Sequence, residues 1–345
     1  MAKPEQTSQP SPVLFFETAK AYQSTAALKT AIELGLFTAI AEGSSTPADI
    51  AHHWNGAERG ARILCDTLVV LGFLTKHSGS YALTADSAAF LDRNSPTYIG
   101  GAIDFMSSPF MESAFGCLTE ACRKGGTAVG GGGAVSHENP VWVKFARGMA
   151  NLMRLPAELM AQRVAADVKQ SGGAPVRRIL DIAAGHGVFG ITMARHFPGS
   201  EITAVDWPGV LEVARENAAA AGIAAQYHTI PGSAFDVDYG SGYDLVLLTN
   251  FLHHFNAETN EHLLAKVHAA LRPGGRAVTL EFVPNEDRIS PPDSATFSLV
   301  MLACTPAGDA YTFPELEKMF HNSGFRSSEL HALPPSFSHM LLSRK

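Results

Sequence analysis

From Arg177 onward the chain alternates short apolar runs with stretches of helical spacing, and this alternation restricts the fold more than any other feature. The runs are Arg177–Ala183, Glu201–Val205, Ala225–Thr229, Tyr243–Thr249 and Arg276–Val283, with helical stretches such as Pro208–Ala221 and Ala257–Leu271 between them. Parallel strands need a long crossover, usually a helix, so the pattern predicts a parallel sheet covered by helices on both faces. At the end of the chain, "SSELHALP" and "FSHMLLSR" read as two more strands joined by a Pro-Pro turn.

The first apolar run leads into "RILDIAAGHGVFG", where Gly185, Gly187 and Gly190 form G-x-G-x-x-G. A strand feeding a tight glycine turn presents the N-terminus of the next helix, here starting near Val188, to an adenosine-bearing ligand. About twenty residues later, the second run ends in "AVDWP", which places Asp206 at a strand's carboxyl end to accept ribose hydroxyls. Every adenosine cofactor can use that pair. Asp181 narrows the choice, because a carboxylate beside the turn repels a pyrophosphate and attracts an ammonium group. "LRPGG", Leu271 to Gly275, makes a turn between a helix and the fifth strand, and the C-terminal pair completes a plan of seven strands.

The first hundred residues are organised differently. Ala26–Ala41 carries apolar residues at helical spacing and stops at Gly43. "SSTPADIAHHW" follows, with Thr46 as N-cap and Pro47 at the first helical position. Glu58–Leu74 is a further helix, and "TKHSGSYALT" is a small hairpin turning at Ser78-Gly79. This is the layout of a winged helix and raises the alternative of a ligand-sensing regulator that binds DNA. Charge opposes that alternative. Between Thr25 and Ser95 there are five bases (Lys29, Arg59, Arg62, Lys76, Arg93) against seven acids (Glu33, Glu42, Asp49, Glu58, Asp66, Asp86, Asp92). The would-be recognition helix also runs apolar through Leu68, Val69 and Val70, which suits packing or self-association.

The 345-residue chain has a net charge of −7, which argues against a nucleic-acid partner, and it carries no polybasic patch for an acidic membrane surface. No apolar run approaches the roughly 18 residues of a membrane span, and the polar, Pro-rich start "MAKPEQTSQPSP" has no signal-peptide core. That start reads as a flexible tail and the chain as cytoplasmic. Cys65, Cys117, Cys122 and Cys304 show no paired metal spacing and read as free thiols. Between the halves, "KGGTAVGGGGAV" (Lys124 to Val135) follows a helix around Met111 to Cys122. It is either a linker or a lid over a substrate pocket. Helical segments resume from Pro140 to Lys169, until "QSGGAPV" breaks them.

The glycine turn, Asp181, "LRPGG" and the C-terminal strand pair together resemble the class I S-adenosylmethionine (SAM) methyltransferases. More narrowly, the chain from "AALKTAIELGLFTAI" to its end is similar to the small-molecule O-methyltransferases that carry an N-terminal winged-helix dimerisation domain. These include plant phenolic, acetylserotonin and bacterial polyketide- and pigment-tailoring enzymes. "DIAAGHG" stands at the family's D-x-G-G-G-x-G, "VDWPGVLEVA" at its Asp-Leu-Pro and helix, and "GSAF" at its G-D-M-F. Ala183 thus replaces a glycine, which predicts a backbone set slightly further from the cofactor, and Ser233 replaces an aspartate on the adenine side.

The resemblance implies a Rossmann-like α/β fold with a seven-stranded SAM-binding domain at residues 171–345. A helical connector at 101–170 contributes to the substrate pocket, and a winged-helix-like domain at 1–100 forms a homodimer. It implies cofactor contacts from Asp181, Ala183, Gly185, Gly187, Asp206, Trp207, Gly232, Ser233, Ala234, Phe235 and Asn250, with S-adenosylhomocysteine as product. His253 falls on the family's catalytic histidine and Glu281 on the acid that orients it; His254 falls where many members have Asp and is expected to contact the substrate. Met149 and Met301 fall on positions that wall an aromatic substrate, with Phe105 and Phe145 as further candidates. The chemistry asks for such a base: a phenol of pKa about 10 is mostly neutral at pH 7, and an imidazole of pKa about 6.5 can take its proton as a methyl group arrives. The gap corresponds to about 5 kcal/mol for full prior transfer, which coupling deprotonation to in-line attack offsets. No acidic or thiolate cluster surrounds the histidine pair, so no metal is expected. A second catalytic acid of the plant members falls on Ala310, with Asp309 beside it. Its absence keeps C-methylation, or a non-methylating reaction on the same fold, as the alternative.

Overall fold

A computed structural model of the chain describes residues 10–173 and 175–345; most of the expected N-terminal tail, residues 1–9, lies outside the described residues. The chain divides into two compact units, one ending at Gly101 and one running from Ala102 to Lys345.

In the first unit, α1 (Val13–Glu33) and α2 (Leu36–Ala41) replace the single helix expected over Ala26–Ala41. The break is Gly35, whose φ of 68° is left-handed and cannot continue an α-helix. Thr46 caps α3 (Pro47–His53) through a reciprocal box with Asp49. α4 (Glu58–Val70) stops short of the expected Leu74: Gly72 turns left-handed at φ 86° and Phe73 N–H bonds back to the Leu68 carbonyl at 2.9 Å. Leu74 instead begins β1 (Leu74–His77), which pairs with β2 (Ser80–Leu83) across a turn with positive φ at both Ser78 and Gly79. α5 (Ala85–Phe90) closes the unit. Leu36, Phe37, Ile50, Cys65, Leu68 and Tyr81 fill its core, while Val70 is 86% exposed.

The second unit opens with α6 (Ile103–Met106), α7 (Pro109–Gly116), α8 (Leu118–Lys124), α9 (Val141–Met149) and α10 (Arg154–Gln170). The α/β succession follows: β3 (Arg178–Ile182), α11 (Val188–His196), β4 (Glu201–Asp206), α12 (Pro208–Ala220), β5 (Tyr227–Pro231), β6 (Tyr243–Thr249), α13 (Ala257–Ala270) and β7 (Leu271–Glu281). α14 (Pro292–Cys304), α15 (Phe313–Asn322), β8 (Ser327–Ala332) and β9 (His339–Arg344) complete it. The seven strands lie in the order β5-β4-β3-β6-β7-β9-β8; β9 is antiparallel to both its neighbours and the other pairings are parallel.

Alternate residues of each strand serve opposite faces. Ile179, Leu245, Leu247 and Val278 pack with Met160, Val164 and Met193 from α10 and α11, whereas Leu180, Ile182, Val246 and Leu248 pack with Leu263, Leu264, Val267 and Phe320 from α13 and α15. Within the segment expected as a helical connector, α10 covers one face of the sheet. Strand order reverses between β3 and β6, and a crevice opens there at the strands' carboxyl ends.

Candidate active site

The glycine turn leaving β3 uses each small residue differently. Ala183 itself takes a left-handed φ of 53°, so the turn is kept without the family's glycine. Gly185, at φ 57°, leaves the adjacent space open; a Cβ there would meet nothing nearer than 3.9 Å. Gly187 precedes α11 at φ 73°, where a Cβ would lie 2.7 Å from the Tyr227 hydroxyl. Gly190 lets the helix approach Asp181, whose Oδ2 accepts its N–H at 3.1 Å.

Asp181 is fully buried and is not among the residues lining the crevice, and its Oδ1 has no hydrogen-bond partner. Asp181 holds the first turn of α11 against β3. Burial, reinforced by the charge of nearby Asp206, pushes its pKa up to about 7. Asp206, the last residue of β4, accepts from Gly185 N at 2.8 Å and Trp207 N at 2.7 Å. Burial raises its pKa to about 6 although both hydrogen bonds pull it down.

Two adjoining cavities occupy the crevice. The larger, about 380 Å³, is lined by Ala183, Gly185, Asp206, Trp207, Asn250, His253 and His254, together with the expected substrate-side residues Phe105, Phe145, Met149 and Met301. The smaller, about 260 Å³, is lined by Gly232, Ser233, Ala234 and Phe235 and shares Ala183, Asp206, Trp207, Val135 and Phe251 with the first. Gly187 lines neither. The Ser233 hydroxyl is spent within its own turn, accepting from Phe235 N at 3.2 Å. Asn250 stands just after β6 at φ 53°, and its Oδ1 is buried without a hydrogen-bond partner.

The loop after β6 brings His253 to the end of β7. His253 Nδ1 lies 2.5 Å from Glu281 Oε2, while Glu281 Oε1 accepts from Phe251 N at 3.0 Å and Leu252 N at 2.8 Å. Both carboxylate oxygens are therefore engaged and the side chain is locked; Glu281 and His253 are both buried, but only His253 reaches the cavity. His254 packs edge-on to Trp142 at 5.1 Å, and burial, with His253 alongside, holds its pKa well below the ordinary imidazole range. Asp309 turns away to Arg288, 3.3 Å distant, and does not line the cavity; Ala310 is fully buried.

Several wall residues carried no sequence signal. Phe297 from α14 meets His253 edge-on at 4.8 Å and stacks on Phe282 at 4.1 Å, and Met106, Met111, Trp142 and Met153 complete the apolar surface. His186, inside the glycine turn, was the most findable. It lies parallel to Phe145, its Nδ1 accepts from Val188 N at 3.1 Å, and burial pushes its pKa down to about 4. The Gly-rich segment docks onto the loop after α14: Thr127 N bonds Thr305 O at 2.8 Å, and Cβ atoms at Gly126 and Gly133 would strike the Pro306 and Cys304 carbonyls. The segment's end, Val135 and Ser136, lines the cavity. Further along that loop, a Cβ at Gly308 would lie 2.2 Å from the His253 carbonyl oxygen. Among the described residues, no group of three or more His, Cys, Asp or Glu is arranged to hold a metal, and no helix is long and apolar enough to cross a membrane.

A seven-stranded sheet of this order, with a glycine turn and an acid at successive strand ends, defines an α/β transferase that binds a nucleoside cofactor. Family models sharpen that class: one for an O-methyltransferase domain matches residues 118–326, and one for an O-methyltransferase dimerisation domain matches residues 16–93. The chain is 31% identical over 316 residues to the 3-hydroxy-5-methyl-1-naphthoate 3-O-methyltransferase of Streptomyces sahachiroi, covering 91% of this chain and 89% of that one. A crystal structure of a candidate O-methyltransferase from Nostoc punctiforme matches with a TM-score of 0.92 at 52% identity, covering 98% of this chain and 100% of that one. Human N-acetylserotonin methyltransferase, solved with SAM, shares the fold at a TM-score of 0.84 and 22% identity, with 99% of each chain covered. The chain belongs to the O-methyltransferase family and is a SAM-dependent O-methyltransferase.

Proposed function

We propose that the enzyme methylates a hydroxyl group of a small aromatic or conjugated acceptor, with His253 as general base and Glu281 as the group that orients it. One observation carries this reading: the buried His253–Glu281 pair at 2.5 Å stands at the wall of a cavity lined by methionine and aromatic side chains. His253 Nδ1–H donates a hydrogen bond to Glu281, so the lone pair is on Nε2, free to accept the acceptor's hydroxyl proton. Two backbone N–H groups on the other carboxylate oxygen keep the ring from swinging out of line.

SAM, when bound, supplies an electrophilic methyl group on a sulfonium. The residues present suit it: Asp206 accepts ribose hydroxyls, the unpartnered Asn250 Oδ1 accepts the ammonium group, and the Gly232–Phe235 turn flanks the adenine. The apolar wall keeps water away from the transfer, and its methionines adapt to a flat ring. The first unit serves as a homodimerisation domain, for which the family match and the exposed Val70 are the support. The enzyme works in the cytoplasm.

His253→Ala should lower kcat by about 10²–10⁴ while S-adenosylhomocysteine binding, measured by calorimetry, stays within about twofold. Retained turnover would remove the base from the mechanism. A screen of hydroxylated aromatics by mass spectrometry, read as gain of one methyl group and its position, identifies the acceptor.

A further inference from the structure

Among the described residues that line the larger cavity there is neither Lys nor Arg, and the one carboxylate is Asp206. The remaining ionisable groups are three imidazoles, and two of them, His186 and His254, are kept neutral by burial at any ordinary pH. Because Val188 N donates to His186 Nδ1, the proton of that neutral ring sits on Nε2, which makes it a fixed hydrogen-bond donor. The His253 ring already faces the carboxylate of Glu281. What remains is neutral and polar, such as the Ser136 and Thr249 hydroxyls and the Asn250 amide, set among five methionines and six phenylalanines.

A carboxylate carried into such a site loses its hydration and gains no opposite charge from the protein in return. Neutral oxygen substituents lose far less and find neutral donors waiting.

We propose that the acceptor is uncharged when it binds: a flat phenol, naphthol or quinol whose other substituents are carbonyl, ether or amide groups, preferred over the same ring bearing a carboxylate. The inference rests on the aromatic-acceptor reading above and adds a charge rule to it. The Streptomyces relative is, by its name, a naphthoate enzyme; the rule separates this chain from one that takes such an acceptor as its free acid.

The test uses a pair of equal size, 6-hydroxy-2-naphthamide and 6-hydroxy-2-naphthoic acid, at pH 8 with the full chain. Turnover is followed by release of S-adenosylhomocysteine. Binding is followed by quenching of tryptophan fluorescence in the presence of S-adenosylhomocysteine, since Trp142 and Trp207 both line the cavity. The amide should exceed the acid by at least about a hundredfold in kcat/KM. Met106 lines the cavity and is 52% exposed, so a lysine is tolerated there; Met106→Lys should move the ratio at least about tenfold toward the acid. An acid used within about threefold of the amide, or a ratio unchanged by Met106→Lys, overturns the charge rule. If neither compound reacts or quenches, the aromatic-acceptor reading falls instead.

Discussion

The two walls of the crevice are built on different principles. The wall nearer the glycine turn comes from short loops directly after β3, β4, β5 and β6, and its contacts are largely backbone: Gly185 N and Trp207 N on Asp206, Gly190 N on Asp181. The opposite wall comes from α6, α9, α14 and the docked Gly-rich segment, and it consists of side chains in edge-on and stacked contact, Phe105 on Phe145 at 5.1 Å and Phe282 on Phe297 at 4.1 Å. A wall fixed by its own backbone hydrogen bonds has little room for drift. A wall of methionine and phenylalanine side chains can be reshaped by single substitutions. His253 stands where the two meet, held by a strand-end acid on one side and by Phe297 on the other.

The largest effect that separates the walls should come from Gly308→Ala. Its methyl group would press on the His253 carbonyl at 2.2 Å, displacing the proposed base without touching the wall nearer the glycine turn. We expect a loss in kcat of about a hundredfold, with S-adenosylhomocysteine affinity by calorimetry nearly unchanged. A parallel loss of affinity would show that the two walls are not independent.

Asp206→Asn tests the other wall. Removing a charged acceptor should weaken S-adenosylhomocysteine binding by about tenfold or more at pH 8. The pH response gives the sign. Because burial raises the Asp206 pKa to about 6, the carboxylate is charged above that pH and protonated below it. Wild-type affinity should therefore fall as pH drops through 6, while that of the asparagine variant stays level. Equal slopes in calorimetric titrations from pH 5 to pH 8 would exclude Asp206 as the group responsible.

Phe297→Leu should have the smallest effect: a change of a few-fold in acceptor KM, with no change in cofactor affinity. A shift in the pH profile of kcat alongside it would mean that Phe297 also positions His253.

Legibility followed the same division. Asp206, Gly185 and the His253–Glu281 pair could be read because each lies at a strand end that hydrophobic period and glycine punctuation already mark. Asp181 was found by the same logic, but its bond to Gly190 N was not, since that depends on how closely Gly190 lets α11 approach. Phe297, Trp142 and Met106 could not be read, because an aromatic or methionine at helical spacing looks the same whether it faces a core or a cavity. Two helix boundaries, at Gly35 and Gly72, moved for a local reason: both glycines take left-handed backbone, which ends a helix more firmly than apolar periodicity extends it.

By itself, the sequence determined the alternating α/β order, the parallel sheet with its antiparallel end, the glycine turn and the acids and histidines at the strand ends. These are properties of neighbours along the chain, set by side-chain period and backbone freedom. Only the tertiary structure decided that Asp181 braces a helix rather than facing the cavity, that Asp309 pairs with Arg288, and that the Gly-rich segment packs against the loop after α14. It also decided that the described residues of the methionine and phenylalanine wall include no Lys or Arg, because that wall is assembled from helices far apart in the chain and its charge is visible only once they meet.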